Sequence, residues 1–372
     1  MPTLAVWLHN IDPFAIQFPQ GFILDGIRWY GLAYLATFVI GFLFTRRVTL
    51  MGRTTLKPAE VMDFVITVAI GVIVGGRIGY VLFYKPNLLI EFGSSFPFWG
   101  LLQLNKGGMS SHGGMIGVGV AVWFYAVRSR SKSTPQLPVP GHNWLHLFDF
   151  ASFAATVGFF FGRIANFINA ELVGRACAED FPIAVKFPQE LHDLSYDFAM
   201  KGGDATPMLA LTGAVENIGV TAQQWTEAIA TKNIDFIDRT IHQLITAIQD
   251  GGSRGSLIGD IVMPLLTPHH PSQLYAAFTE GVIVFTVLAI VWRLPRKPGI
   301  ITGLFGALYG VMRIINEFFR TPDAHIANQE FAITGLTRGQ WLSVVLVVAS
   351  ILLTIWCARR NLTRQGGWAK SV

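Results

Sequence analysis

The sequence predicts an all-α integral membrane protein of seven transmembrane helices, with an extramembrane head inserted between helices four and five. Three observations carry this expectation. Of 372 residues, 52% are hydrophobic and 14% charged, whereas soluble domains carry about 25% charged residues. Several apolar runs approach the roughly 20 residues that cross a bilayer as a helix. The basic residues between these runs alternate between rich and poor loops.

The seven runs are 27–44, 61–84, 112–127, 145–161, 273–292, 300–319 and 340–356. Arg46, Arg47, Arg53 and Lys57 follow the first; Arg128, Arg130 and Lys132 follow the third. Arg293, Arg296 and Lys297 follow the fifth; Arg359, Arg360, Arg364 and Lys370 follow the last. Fourteen of the 28 lysines and arginines thus collect on one side, while Lys85, Lys106, Arg320 and Arg338 border the short loops opposite. The positive-inside rule then puts the N-terminus outside and the C-terminus in the cytoplasm. No Lys or Arg precedes Arg28, so the basic region of a secretory signal peptide is not expected. The net charge of +5 reflects topology rather than nucleic-acid binding.

Residues 1–177 hold the first four spans, 178–262 the head, and 263–372 the last three spans and the C-terminal tail. The head carries twelve acidic and five basic residues, a net charge of −7. Thr221 is a candidate N-cap for a helix over 221–248, and the pairs Gly202-Gly203 and Gly251-Gly252 suggest hinges. Cys177 and Cys357 fall on opposite sides of the membrane, so neither a disulfide nor a metal-thiolate site is expected. The sequence shows no short-period repeat and no nucleotide-binding glycine fingerprint.

The segment 162–175, GRIANFINAELVGR, ends the fourth run with Arg163, Asn166, Asn169, Glu171 and Arg175. A charged side chain at the bilayer centre costs roughly 2.5–3.5 kcal/mol on insertion scales, so these residues need partners, a cavity or a polar ligand. Tyr30, Arg77, His112, His270, Gln273, Tyr275, Arg313, Glu317 and Arg320 fall at comparable depth in the outer half of their runs. Each has a structural reading as well. Tyr30 beside Trp29 suits an aromatic belt. Arg163 and Arg77 can snorkel, and Arg313 and Glu317, four apart, can form an ion pair. Gly113, Gly114 and Gly117 suit close helix packing. His269 and His270 before Pro271 read as a loop cap, and Asp63 and Asp149 as solvated or helix-capping. His9, His142, His146, His192 and His242 carry no motif.

Seven motifs in order resemble the phosphatidylglycerol–prolipoprotein diacylglyceryl transferase family of bacterial inner membranes, over nearly the whole chain. They are IRWYGLAYL at 27–35, GGRIGYVLFY at 75–84, SHGGMIG at 111–117 and GRIANFINAELVGR at 162–175. DFPIAVKFP at 180–188, HPSQLY at 270–275 and YGVMRIINEFFRTPD at 309–323 complete the set. The resemblance implies a seven-span fold with a periplasmic head and an active site open to lipid. The implied reaction moves a diacylglyceryl group from phosphatidylglycerol to the lipobox cysteine of a preprolipoprotein signal peptide, releasing glycerol phosphate. Neither a metal nor a soluble cofactor is implied.

The residues suit that chemistry. The leaving phosphodiester is anionic, and guanidinium groups can grip it in a fork. Arg163 and Arg313 are the first candidates, with Arg77 and Arg320 positioning lipid or peptide. A thiol near pKa 8.5 needs lowering or a base, and His112 is the residue type for it; an arginine-rich field offers an alternative. Asn166, Glu171 and Glu317 would orient the arginines or bind the headgroup glycerol, and Tyr30 the phosphate or ester oxygens. Two departures from the family stand out: Ala276 where Glu is common, with Glu280 one turn on, and Ala170 where Gly is common. The stretch 192–250 matches no family motif. A lipid transporter would also use intramembrane arginines but predicts paired broken helices. A metal-dependent phosphatidyl transferase predicts paired carboxylates.

Overall fold

The computed structural model describes residues 6–19, 26–93, 97–103, 107–131, 141–321 and 336–369. Lys106, Lys132, Lys370 and Asp323, which closes the 309–323 motif, lie outside the described residues. Strands β1 (Trp7–Leu8), β2 (Phe14–Gln17) and β3 (Gly26–Arg28) precede helices α1 (Trp29–Leu50), α2 (Glu60–Phe83), α3 (Ser111–Ser131) and α4 (Trp144–Ile168). Strand β4 (Val185–Lys186) leads to α5 (Glu190–Lys201), α6 (Thr206–Ala210), α7 (Thr212–Glu216), α8 (Ala222–Ala230), α9 (Ile234–Asp250) and α10 (Gly252–Val262). Strand β5 (Pro268–His269), α11 (Ser272–Ala276), α12 (Val284–Val291), α13 (Ile300–Glu317) and α14 (Arg338–Arg359) complete the described chain.

The protein is a mostly helical, multi-pass membrane protein. Among the described residues six helices are long and apolar enough to cross a bilayer: α1, α2, α4, the helix Ser272–Val291, α13 and α14. The remaining expected span, 112–127, lies within α3, a helix of 21 residues. Its four glycines, terminal serines and Arg128 make it less apolar than the rest.

The chain divides into two compact units. One comprises Met1–Ala33, Gly162–Ala277 and Ile315–Gly335; the other comprises Tyr34–Phe161, Phe278–Ile314 and Leu336–Val372. The second unit contains a glycine seam between α2 and α3. A Cβ on Gly117 would lie 1.9 Å from the Gly71 carbonyl oxygen, and one on Gly75 2.5 Å from that of Gly113. Backbone thus meets backbone, the close approach that small residues allow between membrane helices. Elsewhere Phe64, Val122, Leu147, Phe150, Phe153, Leu288, Trp292 and Ile301 form a buried cluster, in which Phe153 stacks on Trp292 at 5.1 Å. Between α11 and α12 the helix widens to a π turn, Ala277–Ile283. Gly281 there meets the Phe160 backbone so closely that a Cβ would lie 2.9 Å from its Cα.

Asp149, buried within α4, caps the start of α13. Its carboxylate accepts from the Gly299 and Thr302 backbone N–H groups and the Thr302 hydroxyl, each at 2.9 Å. A helix start leaves unpaired donors, and here a residue of another helix supplies the acceptor. The capping alternative for Asp149 therefore holds.

The first unit contains residues 178–262, expected from the sequence to form a head. Leu191, Met208, Leu211, Trp225, Ile237, Ile241, Leu244 and Ile258 close a core of the kind soluble domains build. The Trp225 indole donates to the Met208 carbonyl at 2.8 Å. Thr221 caps α8 through a capping box with Gln224, as the sequence suggests. The expected single helix over 221–248 is instead two, α8 and α9. Lys232 breaks it at φ 50°, and Asn233 caps α9 by accepting from the Phe236 N–H at 3.2 Å. Asn favours this local bond over a helix interior. Gly202 ends α5 at φ 71°, and Gly251 and Gly252 turn between α9 and α10 at 72° and 69°. Strand β4 joins β1 in parallel and β5 antiparallel. His9 follows β1, fully buried, with its ring 5.3 Å from Phe167 and 5.2 Å from Phe187. Burial holds this imidazole down at about 4.

Replacing Asp149 with Ala leaves three donors without their acceptor. We expect a loss of roughly 2 kcal/mol, seen as a lower thermal midpoint of the detergent-solubilised protein, with Asp149→Asn intermediate. An unchanged midpoint for Asp149→Ala would show that the cap contributes nothing.

Candidate functional site

The signature segment folds as a helix end followed by an extended strap. Helix α4 stops at Ile168 in a Schellman turn: the Ala170 N–H bonds the Phe167 carbonyl at 3.0 Å, and the Glu171 N–H bonds that of Asn166 at 2.9 Å. The turn requires a left-handed residue at its centre, and Ala170 adopts φ 54°. Leu172 is also left-handed, at φ 55°. The two reversals turn the Glu171 side chain back toward α4.

There Tyr30, Asn166 and Glu171 meet. The Tyr30 hydroxyl donates to Glu171 Oε2 at 2.8 Å, and Asn166 Nδ2 donates to the same oxygen at 3.2 Å. Asn166 Nδ2 also bonds the Tyr30 hydroxyl. Glu171 is exposed. Arg163, one helical turn before Asn166, lies on the same face of α4.

The strap, 173–177, runs between two neighbours. Gly174 bridges Arg320, and Ala176 bridges His269. The Arg175 N–H donates to the Phe319 carbonyl at 2.8 Å and its Nε to the Arg320 carbonyl at 3.1 Å. Thr321 Oγ1 donates to the Gly174 carbonyl at 2.8 Å, and His269 Nδ1 lies 2.8 Å from that same oxygen. A Cβ on Gly174 would lie 2.1 Å from the His270 carbonyl oxygen, so only glycine fits. Arg320 is thereby fixed beside Arg175, which places two guanidinium-bearing residues on paired backbone.

Two residues outside the candidate site set hold this arrangement. Gln273, buried in α11, donates through Nε2 to the Glu171 carbonyl at 2.7 Å. Glu190, at the start of α5, accepts from the Thr267 N–H and hydroxyl at 2.9 and 2.7 Å and stands 3.8 Å from His269 Nε2. His269 therefore ties the head to the strap. The HPSQLY motif marks Gln273; no local pattern marks Glu190. Burial pushes the His269 imidazole down, but Glu190 and the Gly174 carbonyl outweigh it and raise the pKa. Burial pushes Glu190 up, but His269 and the Thr267 donors outweigh it and lower the pKa.

His112, Arg77 and Arg313 belong to the second unit. His112 is exposed on the first turn of α3, and Arg313 is half-buried on α13, one turn before Glu317. Arg77 is buried. Its Nε donates to Leu101, its Nη1 to Gly107 and Gly108, and its Nη2 to Gly100 and Gln103, all backbone carbonyls at 2.6–3.3 Å. Both cysteines are free. Among the described residues no group of three His, Cys, Asp or Glu side chains is placed to hold a metal ion.

Ala170→Gly removes the cost of a left-handed alanine, roughly 1 kcal/mol, and should raise the thermal midpoint; Gly174→Ala should lower it sharply. The reverse ranking would show that the strap tolerates side chains. The His269–Glu190 pair supplies a pH signature. A raised His269 pKa gives stability that is present below about 6.5 and lost as pH rises through the folded value. A lowered Glu190 pKa gives stability that is present above about 4.5 and lost as pH falls through the folded value. His269→Gln should therefore depress the thermal midpoint more at pH 5.5 than at pH 9; equal depression would exclude the charged pair.

The family model for prolipoprotein diacylglyceryl transferase matches residues 19–356. Several curated relatives carry the name phosphatidylglycerol–prolipoprotein diacylglyceryl transferase. That of Bdellovibrio bacteriovorus is 42% identical over 369 residues, covering 98% of this chain and 97% of the relative. The protein of Bradyrhizobium diazoefficiens is 32% identical, with 98% of each chain covered. That of Beijerinckia indica is 36% identical, covering 90% of this chain and 91% of the relative. With the family model spanning most of its length and relatives aligned nearly end to end, the chain belongs to the prolipoprotein diacylglyceryl transferase family.

Proposed function

We propose that this protein transfers the diacylglyceryl group of phosphatidylglycerol to the lipobox cysteine thiol of prolipoproteins, the first step of bacterial lipoprotein maturation. The observation that carries the reading is the signature segment itself. It is folded so that Tyr30, Asn166 and Glu171 bond one another within a turn of Arg163, and its strap fixes Arg320 beside Arg175. The 42% identity, over nearly the full length of both chains, to the Bdellovibrio relative named for this activity supports it.

In this reaction the cysteine sulfur attacks the glycerol carbon that bears the phosphate. A C–S bond forms, the C–O bond to phosphate breaks, and the electron pair leaves with glycerol phosphate. Arg163 and Arg313 stabilise the charge growing on that phosphate, because guanidinium donors aimed at a developing anion strengthen as it forms. Arg320 holds lipid or peptide. His112 takes the thiol proton, being exposed on a helix start where a substrate can reach it. Glu171, with Asn166 and Tyr30 bonded to it, accepts from headgroup hydroxyls and sets the arginine orientation; Glu317 does the same from α13. The N-terminus and the 178–262 head lie in the periplasm and the C-terminus in the cytoplasm, as the basic loops require. The peptide partner is a signal peptide presenting its lipobox cysteine at the outer face of the inner membrane.

The test combines purified protein, phosphatidylglycerol and a synthetic lipobox peptide, following peptide mass and free glycerol phosphate together. We expect a diacylglyceryl mass gain matched by glycerol phosphate, reduced at least a hundredfold in Arg163→Ala. Folded wild-type protein giving no mass gain with phosphatidylglycerol would refute the transferase reading. Full activity in Arg163→Ala would remove that arginine from the mechanism.

A further inference from the structure

Arg77 sits in the second turn from the end of α2, buried, at a level where charge is costly. A guanidinium has five N–H donors, and all five directions are taken: Gly100, Leu101, Gln103, Gly107 and Gly108 each offer a carbonyl at 2.6–3.3 Å. These carbonyls belong to the connection between α2 and α3, in which Gly100–Leu102 form a short 3-10 turn. Irregular backbone at membrane depth persists only where its polar groups find partners inside the protein. A phosphate could take these donors only by releasing the connection.

The same stretch of α2 shapes the entry into α3. Gly107 and Gly108 are left-handed, at φ 76° and 84°. Gly108 lies against the Tyr80 ring, where a Cβ would approach within 2.4 Å. The Ser110 N–H donates to the Gly76 carbonyl at 2.9 Å. Ser110 then starts α3: its Oγ accepts from the Gly113 N–H at 3.2 Å, and its carbonyl from Gly114 at 2.9 Å. Arg77, Gly76 and Tyr80 together set where α3 begins, and His112 is on that first turn.

We infer that Arg77 is a positioning residue, which fixes the α2–α3 connection through five backbone carbonyls and so places His112 for proton transfer. This deepens the transferase reading and rests on it for the role of His112. Lysine cannot substitute, because three donors on a point charge do not match a five-way fork.

The experiment compares wild type, Arg77→Lys and Ser110→Ala. Steady-state kinetics with phosphatidylglycerol and lipobox peptide are measured across pH, together with hydrogen–deuterium exchange of the detergent-solubilised protein. For Arg77→Lys we expect kcat to fall at least tenfold, KM for phosphatidylglycerol to stay within twofold, and the acidic limb of the pH–rate profile to shift. Exchange should rise at the amides of Gly100, Leu102, Ser110, Gly113 and Gly114 and not along α13. Ser110→Ala, a milder change, should lower kcat several-fold with KM unchanged. A raised KM with unchanged kcat and unchanged loop exchange would make Arg77 a lipid ligand and overturn the inference. Raised loop exchange with kcat and the pH profile unchanged in both variants would overturn it as well. Wild-type protein without transferase activity would sink the functional reading, and unchanged loop exchange would separately sink the anchor.

Discussion

A polar group within a bilayer has no water to fall back on, and the organisation of this protein stems from that obligation. Every unpaired N–H or C=O costs several kcal/mol in hydrocarbon, so departures from regular helix occur where a side chain has been placed to answer them. Asp149 answers the start of α13. Arg77 answers the connection into α3. Lys297 donates to the last carbonyls of α14, those of Ala358 and Arg360, at 2.6 and 2.8 Å. In each case an ionisable residue within or beside an apolar run serves backbone.

Glycine supplies the complementary device. Along α2 and α3 it removes side chains so that backbones touch, and packing rather than water exclusion holds such helices together. In the signature strap, Gly174 does the same on a smaller scale, with carbonyl oxygens where a Cβ would stand. The strap is therefore fixed from both sides, and Arg175 and Arg320 inherit that fixity.

Residues 191–266 close an apolar core of their own from Trp225 and the apolar faces of α5, α8, α9 and α10, and the helix ends are capped by Thr221, Asn233 and Gly202. The link from this core to the strap is electrostatic and short: Glu190, His269 and the Gly174 carbonyl lie in one line of contacts.

The sequence alone determined the class of protein, because apolar run length and basic-loop alternation report directly on a bilayer. It also determined the family, because motifs such as 162–175 and 270–275 place unusual polar residues in a fixed order. Tyr30, Asn166 and Glu171 were legible as candidates since polar groups at that depth demand partners; that they bond one another, through a left-handed Ala170, depended on chain geometry. Arg77 shows the limit most clearly. As a residue in an apolar run it is indistinguishable from a candidate phosphate ligand, and only the carbonyls of a connection more than twenty residues away distinguish it. The break at Lys232, the pairing of Glu190 with His269 and the partners that Asp149 caps were equally hidden. The physical reason is the same in each: periodicity and composition record what a residue has in its own turn, whereas hydrogen bonds between distant segments exist only once the tertiary fold has brought donor and acceptor together.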